Sequence, residues 1–449
     1  MADTVTAIST VITMRPPYLS VQMPSGTRIS EPVSTGVAVN RPNSVALRPS
    51  VFFRPPHCDP ARWLDWRQMG HGEKGQAQDR ARRLKRRRPT LPPPQGAHRQ
   101  QSVARVRCHM HPTAPAPQPV RSQLPAVPGT LLTRWSGTAA LSLLLGLWLA
   151  TAALSLHSTP GLLQIGCGLA LGILAALLVV VGHDAEHGSL SPWPRWNAVA
   201  SRLAFLPAWQ PASGWTHEHQ RHHAWTNLKQ RDEGYPPPSP ADWCGMPRWQ
   251  RLWWRCALTL PGVGLLYLDV WWRCVIWVCQ PPPGRRRVLR ADSLLVLAFI
   301  CAQATLAWRF AGGASAVWWL VALPFVVMNT LVSAITVMHH RHPMVVWYDE
   351  LAAWSRPHSQ VAGAVHLVLP TAWQWGLLNI FEHGAHHADL RRPFVALPAA
   401  QQALEQLHGP AVVVQHEEAP WRLRHLRRVL RECQLYDYRA QRWLRFVDA

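Results

Sequence analysis

One stretch decides the fold: residues 161–187 read GLLQIGCGLALGILAALLVVVGHDAEH. Its first 22 residues carry no charge, and a helix needs about 20 apolar residues to cross the hydrocarbon core of a bilayer. The run ends directly at His183 and His187, which are four residues apart and therefore lie on one face of a helix. The stretch predicts a membrane-spanning helix that brings a histidine pair to one membrane surface.

Three further runs have the length and composition of membrane spans, namely residues 137–156, 292–310 and 315–338. Arg309, at the edge of the third span, can extend its charged end towards the headgroups. Short connections join the four spans into two hairpins. The N-terminal part, residues 183–291 and the C-terminal tail then share one side of the membrane. The predicted fold class is an all-α membrane protein with four transmembrane helices in two hairpins.

Two more histidine clusters lie in the parts of the chain that share this side. Both have the spacing HxxHH, in His219, His222 and His223 and again in His383, His386 and His387. Imidazole binds zinc, copper, iron and nickel, so three clusters on one face predict a metal centre. One zinc ion uses four ligands, and two iron ions sharing eight imidazoles fit the count better.

The charge distribution predicts which side of the membrane carries the histidines. Arginines concentrate on the histidine side, at residues 285–287, 290, 391–392 and from 422 onward. By the positive-inside rule this side is cytoplasmic. Residues 249–279 are rich in tryptophan and arginine, which is typical of a segment in the membrane interface.

The remaining composition separates an N-terminal extension from a membrane domain. Residues 1–125 hold 19 Lys and Arg against 6 Asp and Glu, out of 46 and 24 in the chain. This Arg/Pro-rich part is predicted to be disordered, with a start at Met110 as the alternative, and residues 126–449 form the membrane domain. A charge block such as Arg82–Arg88 is usually a flexible segment, so no nucleic-acid partner is predicted. The nine cysteines form no CxxC pair, which argues against a zinc ribbon.

Residues from about 130 to 445 resemble the membrane-bound fatty acid desaturases, most closely the acyl-lipid Δ12 (omega-6) type and its bacterial members. Four motifs carry the resemblance: HDxxHGS from His183, WTxxHxxHHxxTN from Trp215, HRHP from His340, and HxxHH from His383. The sequence Tyr436-Asp437-Tyr438 is also similar to bacterial members. One departure is Thr216, which stands where the family commonly has arginine.

The resemblance implies a cytosolic helical cap that holds two iron ions, and a tunnel for a chain-shaped substrate. It implies nine metal ligands: His183, His187, His219, His222, His223, His340, His383, His386 and His387. His342 is the alternative to His340 for the ligand between the second and third clusters. For His217, His339, His358 and His366, supporting or surface roles are expected instead. Asp184, Glu218, Glu382 and Asp389 lie beside the clusters and are candidate partners that orient the ligands.

The implied activity is O2-dependent introduction of a cis double bond into a fatty acyl chain of a membrane lipid. No segment of this chain resembles a fused cytochrome, so the electrons would come from a separate ferredoxin-like or cytochrome-like donor. The protein would be a multi-pass membrane protein, in the inner membrane if bacterial. A hydroxylase or a carotenoid ketolase with the same histidine clusters is the main alternative. A metal transporter is disfavoured because the spans carry almost no ionisable residues.

Overall fold

The structure is a computed structural model that describes residues 120–158, 161–232, 234, 236–272, 284–415 and 423–448. The predicted disordered extension up to residue 119 and the alternative start at Met110 lie outside these residues. Val120 and Leu124 are already buried, and Arg121 pairs with Asp389 at 3.0 Å. Packed chain is therefore present before residue 126, the predicted start of the membrane domain.

The described chain is mostly helical. Its helices are α1 (Leu131–Leu156), α2 (Leu162–His187), α3 (Pro194–Phe205), α4 (Ala212–Trp225), α5 (Pro240–Gly245), α6 (Arg248–Ala257), α7 (Gly264–Val270), α8 (Arg286–Phe310), α9 (Gly313–His340), α10 (Arg356–Ala362), α11 (Thr371–Gly376), α12 (His383–Ala388), α13 (Leu397–His408) and α14 (Leu423–Glu432). Strands β1 (His366–Leu367) and β2 (Val414–Gln415) pair in parallel, and β3 (Leu435–Asp437) and β4 (Arg442–Leu444) pair antiparallel.

Four of these helices, α1, α2, α8 and α9, are long and apolar enough to cross a membrane. They correspond to the four predicted spans. Helix α2 continues to His187 and α9 to His340, beyond the predicted apolar ends at residues 182 and 338. Backbone hydrogen bonding does not require apolar side chains, so a helix can continue into a polar motif. Both helices consequently carry histidines in their last turns.

Helix α2 is the central span and packs against both α1 and α9. Gly168 and Gly172 are one turn apart on the side of α2 that faces α9. A Cβ atom at Gly172 would lie 2.6 Å from the Cβ of Val327 and 2.8 Å from the carbonyl oxygen of Pro324. Small residues allow such close approach of membrane helices. The two helices that carry His187 and His340 are therefore held side by side.

A buried aspartate ties α8 to the helices around the second histidine cluster. The carboxylate of Asp292 accepts hydrogen bonds from the Nε and Nη2 atoms of Arg202, at 2.9 and 3.2 Å. It also accepts one from the backbone N–H of Ser213 at 3.0 Å, in the first turn of α4. This contact satisfies an N-terminal N–H that has no partner within the helix, and it sets where α4 begins.

The segment predicted to lie in the membrane interface, residues 249–279, contributes to α6 and α7, and its residues 273–279 lie outside the described residues. In α6, Trp249 and Leu252 expose 46% and 62% of their surface beside the exposed Arg248 and Arg255. A helix with tryptophan, leucine and arginine on its surface is typical of the membrane interface.

Candidate metal centre

Each of the three histidine clusters lies on a helix, as the spacing predicts. The first is at the C-terminal end of α2, the second is on α4 and the third forms α12. His340 is the last residue of α9. Four helices that are far apart in sequence thus bring their histidines together.

The nine histidines form two groups, and within each group one nitrogen per ring lies within 4.8 Å of the others. Group 1 contains five residues, His183, His187, His219, His223 and His386. Group 2 contains four residues, His222, His340, His383 and His387. All nine predicted ligands are in these groups, and His342 is in neither.

Two histidine rings, those of His223 and His387, lie between the groups with their Nδ1 atoms facing each other. The Nε2 atom of His223 faces group 1, at 2.8 Å from Nε2 of His219 and 3.2 Å from Nε2 of His386. Its Nδ1 atom lies 3.3 Å from Nδ1 of His387, whose Nε2 faces group 2, at 3.2 Å from Nε2 of His383. The two groups are therefore adjacent but separate, with an imidazole of each forming the wall between them.

The electrostatics favour neutral rings. Burial, reinforced by the neighbouring imidazoles, holds the pKa well below its usual value for His219, His223, His383, His386 and His387. A neutral imidazole keeps a lone pair, which is the form that binds a metal ion.

The arrangement of nitrogens fits metal ions better than hydrogen bonds. Nε2 of His383 faces two other ring nitrogens, Nε2 of His340 at 3.0 Å and Nε2 of His387 at 3.2 Å, and one nitrogen of a neutral ring can make only one such bond. Nε2 of His183 and Nε2 of His187 are buried without a hydrogen-bond partner among the described residues. If two nitrogens each bind one metal ion at about 2.1 Å with a nitrogen–metal–nitrogen angle of about 90°, the nitrogens lie about 3 Å apart. The observed separations match that value.

Two carboxylates and one carbonyl oxygen hold the outer nitrogens of three rings. Asp184 lies 3.0 Å from Nδ1 of His183, as predicted. Asp232, which sequence reasoning missed, lies 2.7 Å from Nδ1 of His222. Nδ1 of His340 lies 3.0 Å from the carbonyl oxygen of Gly363. Each contact leaves Nε2 of that ring free to bind a metal.

The other predicted carboxylate partners have different contacts. Glu382 pairs with Nε2 of His366 at 2.9 Å and accepts a hydrogen bond from Gln374. Burial opposes charge on His366, but Glu382 and Glu405, the latter 2.7 Å from its Nδ1, outweigh burial and raise the pKa of His366. Asp389 pairs with Arg121 and Arg392. Glu218 is buried and lines a cavity.

Four histidines outside the predicted ligand set also differ in their surroundings. The ring of His342 stacks on that of His425, with 5.6 Å between centroids. His339 is buried and stacks on His383 at 4.1 Å, and its Nε2 has no hydrogen-bond partner among the described residues. It therefore has no surface role. His217 is half-buried and His358 is exposed.

A cavity of about 140 Å³ leads from the apolar helices to the histidines. Its apolar wall comes from α2, α7 and α9 through residues such as Val179, Val270 and Ile335. At its other end lie histidines of both groups: His183, His219, His222, His340 and His383. His339 also lines it. A flexible apolar chain could enter such a space and place a carbon atom beside both groups.

Comparison with known proteins agrees with this geometry. The fatty acid desaturase family model matches residues 159–419. A chloroplastic omega-6 fatty acid desaturase of soybean (Glycine max) is 26% identical over 266 residues, which cover 58% of this chain and 59% of that protein. An sn-1 oleoyl-lipid 12-desaturase of Picosynechococcus is 24% identical over 267 residues, with coverages of 58% and 72%. The matching enzyme of Synechocystis is 26% identical over 265 residues, with the same coverages.

Four apolar helices and a buried core of histidines define a membrane protein with a histidine-rich centre. The chain belongs to the fatty acid desaturase family, because the family match covers more than half of its residues. The match to the soybean relative spans about three fifths of that protein's length.

Proposed function

We propose that this protein is an O2-dependent desaturase that introduces a cis double bond into a fatty acyl chain of a membrane lipid. Its relatives named omega-6 and oleoyl-lipid 12-desaturases support the Δ12 (omega-6) position. The observation that carries the proposal is the apolar cavity that ends at histidines of both groups. The site thus combines an apolar binding space with a candidate metal centre.

The nine histidines would hold two iron ions, five rings at group 1 and four at group 2. Five nitrogens exceed the four ligands of a structural zinc site, and imidazole also suits iron. Bound iron would supply the O2 chemistry, which no side chain can perform. In His183, His222 and His340, Nδ1–H would donate to the oxygen atoms of Asp184, Asp232 and Gly363. Nε2 of each of these three rings would then keep its lone pair for a metal ion.

The protein's own part in the reaction is binding, orientation and exclusion of water. The wall formed by Val179, Val270 and Ile335 would hold the acyl chain by burial of its methylenes, each worth about 0.8 kcal/mol. The overall reaction takes two hydrogens from neighbouring methylenes and adds two electrons and two protons to one O2, which gives one double bond and two water molecules. Two electrons must therefore arrive from a separate donor.

The membrane topology belongs to the same proposal. Helices α1 and α2 would form one hairpin and α8 and α9 the other, so that the nine histidines of the two groups lie on the cytoplasmic face under a helical cap. The arginines of the histidine side support this orientation. If the organism is bacterial, the membrane is the inner one.

The direct test is expression of the full chain in a host without polyunsaturated lipids, followed by analysis of its fatty acids. We expect a new diunsaturated acyl chain. We expect the His223→Ala variant to form at least about 100-fold less of it, because the substitution removes a ligand of group 1 and the wall between the groups. The exposed His358 provides the control, and His358→Ala should retain the product. A product with added oxygen would overturn the proposal in favour of a hydroxylase or ketolase. An unchanged fatty acid profile with iron-loaded protein would also contradict the proposal.

A second test concerns the cavity. Ile335→Trp would fill the space beside the histidines, so we expect turnover of the acyl chain to fall about tenfold or more with native iron content, since added bulk in a packed site is poorly accommodated. Val326 lies on the same helix and is 56% exposed, and Val326→Trp should change little. Gas chromatography of the products and iron analysis of the purified variants measure both effects. Native turnover by Ile335→Trp would show that the acyl chain binds elsewhere.

A further inference from the structure

A strongly basic surface lies at the C-terminal end of the chain. Residues 423–448 contain seven arginines and three acidic residues, and each acid has an arginine partner: Glu432 pairs with Arg428, Asp437 with Arg442 and Asp448 with Arg445. The remaining arginines have no ion pair with a described residue. Three of them, Arg424, Arg427 and Arg431, are exposed on α14, and we call these three the arginine face.

The opposite side of α14 lies against the segment that follows His340. The buried His425 stacks on His342, two residues after the last histidine of α9. The carbonyl oxygens of Cys433 and Gln434, just after α14, accept hydrogen bonds from Nη2 of Arg341 at 3.1 and 3.0 Å. A molecule bound to the arginine face would therefore be separated from group 2 by one helix and one short segment.

The composition of this surface favours a soluble acidic partner over a bilayer. The apolar side chains Leu426, Val429 and Leu430 of α14 are buried in the protein. Apart from Leu423 at its first residue, α14 exposes only charged residues, whereas α6 exposes Trp249 and Leu252 among its arginines. Binding to a membrane interface generally uses an exposed apolar face, and α14 keeps its apolar side inside.

We propose that the arginine face is the docking site of an acidic one-electron carrier protein. This inference rests on the proposed function, because desaturation consumes two electrons for each double bond. The carrier would deliver them in two encounters, so that two reduced carriers are oxidised while one O2 and two protons become two water molecules and the acyl chain loses two hydrogens. Complementary charge would raise the encounter rate and make it dependent on salt.

The test uses the full-length, iron-loaded protein with a plant-type [2Fe–2S] ferredoxin, its reductase and NADPH, and in parallel with dithionite in a single turnover. The variant Arg424→Gln/Arg427→Gln/Arg431→Gln removes the arginine face. The control variant Arg286→Gln/Arg287→Gln/Arg290→Gln removes three exposed arginines at the start of α8. We expect the first variant to raise the apparent KM for ferredoxin about tenfold at low salt and to abolish its salt dependence. Both variants should keep the dithionite-driven yield.

The possible outcomes separate this inference from the proposed function. Native KM and salt dependence in the arginine-face variant would overturn the docking site, as would an equal effect of the control variant. A loss of the dithionite-driven yield would also overturn it, since the arginines would then act on the site itself. If the variant loses binding only to vesicles of phosphatidylglycerol and phosphatidylcholine, the surface binds lipid instead. Absence of product from the native protein with either reductant would contradict the proposed function.

Discussion

Replacing Asp232 with asparagine is expected to remove one of the two proposed iron ions and to lower the proposed desaturase activity about 10–100-fold. The carboxylate of Asp232 is inaccessible to solvent and lies 2.7 Å from Nδ1 of His222. It also accepts hydrogen bonds from the backbone N–H groups of Asn227 at 2.6 Å and Gly234 at 2.7 Å. An asparagine at this position would turn an NH2 group towards one of these donors. Either its bond to His222 or a backbone bond would then be lost.

The consequence for the metal centre follows from the role of Nδ1. When Nδ1–H of His222 donates to Asp232, Nε2 keeps its lone pair and points into group 2. Loss of such an outer partner typically costs 10–100-fold in metal affinity or activity. Group 1 has its own partner in Asp184, so its iron should remain. We therefore expect about one iron per chain in Asp232→Asn instead of two, measured by elemental analysis after dialysis against a weak chelator.

Asp389 provides a matched control, because it is also buried but pairs with Arg121 and Arg392. Asp389→Asn should keep both iron ions even if it unfolds at a lower temperature. Two tightly held iron ions in Asp232→Asn would contradict the role assigned to this carboxylate. Loss of both ions would show that the two groups do not load independently.

The comparison of these two aspartates shows what the sequence could predict. Spacing placed Asp389 beside a histidine cluster, but it could not show that the carboxylate turns towards Arg121. Asp232 follows His222 by ten residues in a loop, where no periodicity relates the two side chains. Regular elements have predictable faces, and a loop does not. The partner that matters for group 2 was therefore accessible only from the structure.

The same physical limit separates His340 from His342. His340 is the last residue of helix α9. Its ring position is therefore fixed by the helix, which places it in group 2. The chain then turns, and His342 contacts His425, which is far away in sequence. By contrast, the four apolar helices and the three histidine clusters were predictable, because both depend on local composition and on spacing within one helix. The predicted helix ends were less accurate, because an apolar run ends at the first polar residue, whereas α2 and α9 continue beyond it.

The second large effect is expected in the membrane, where Gly172→Leu should prevent assembly of the centre. Gly172 packs against Pro324 and Val327 of α9, with no room for a Cβ atom, and Gly168 makes a similar approach to the carbonyl oxygen of Trp319. A leucine would have to push α2 away from α9. Overpacking a core by a few methylenes commonly costs about 1–3 kcal/mol, and sometimes more, and here the added atoms would meet backbone.

Because α2 carries His183 and His187 while α9 carries His340, separation of the helices would also separate ligands of the two groups. We expect Gly172→Leu to yield about tenfold less monodisperse protein in detergent, with a lower unfolding temperature and little bound iron. Gly166 lies on the same helix, and a Cβ atom added there would meet no atom of another segment within 4 Å, so Gly166→Leu should behave like the native protein. Native iron content and unfolding temperature in Gly172→Leu would show that the contact between α2 and α9 does not position the histidines. A defect confined to Gly172→Leu would instead show that the close approach of these two spans is what brings the histidines of α2 and α9 together.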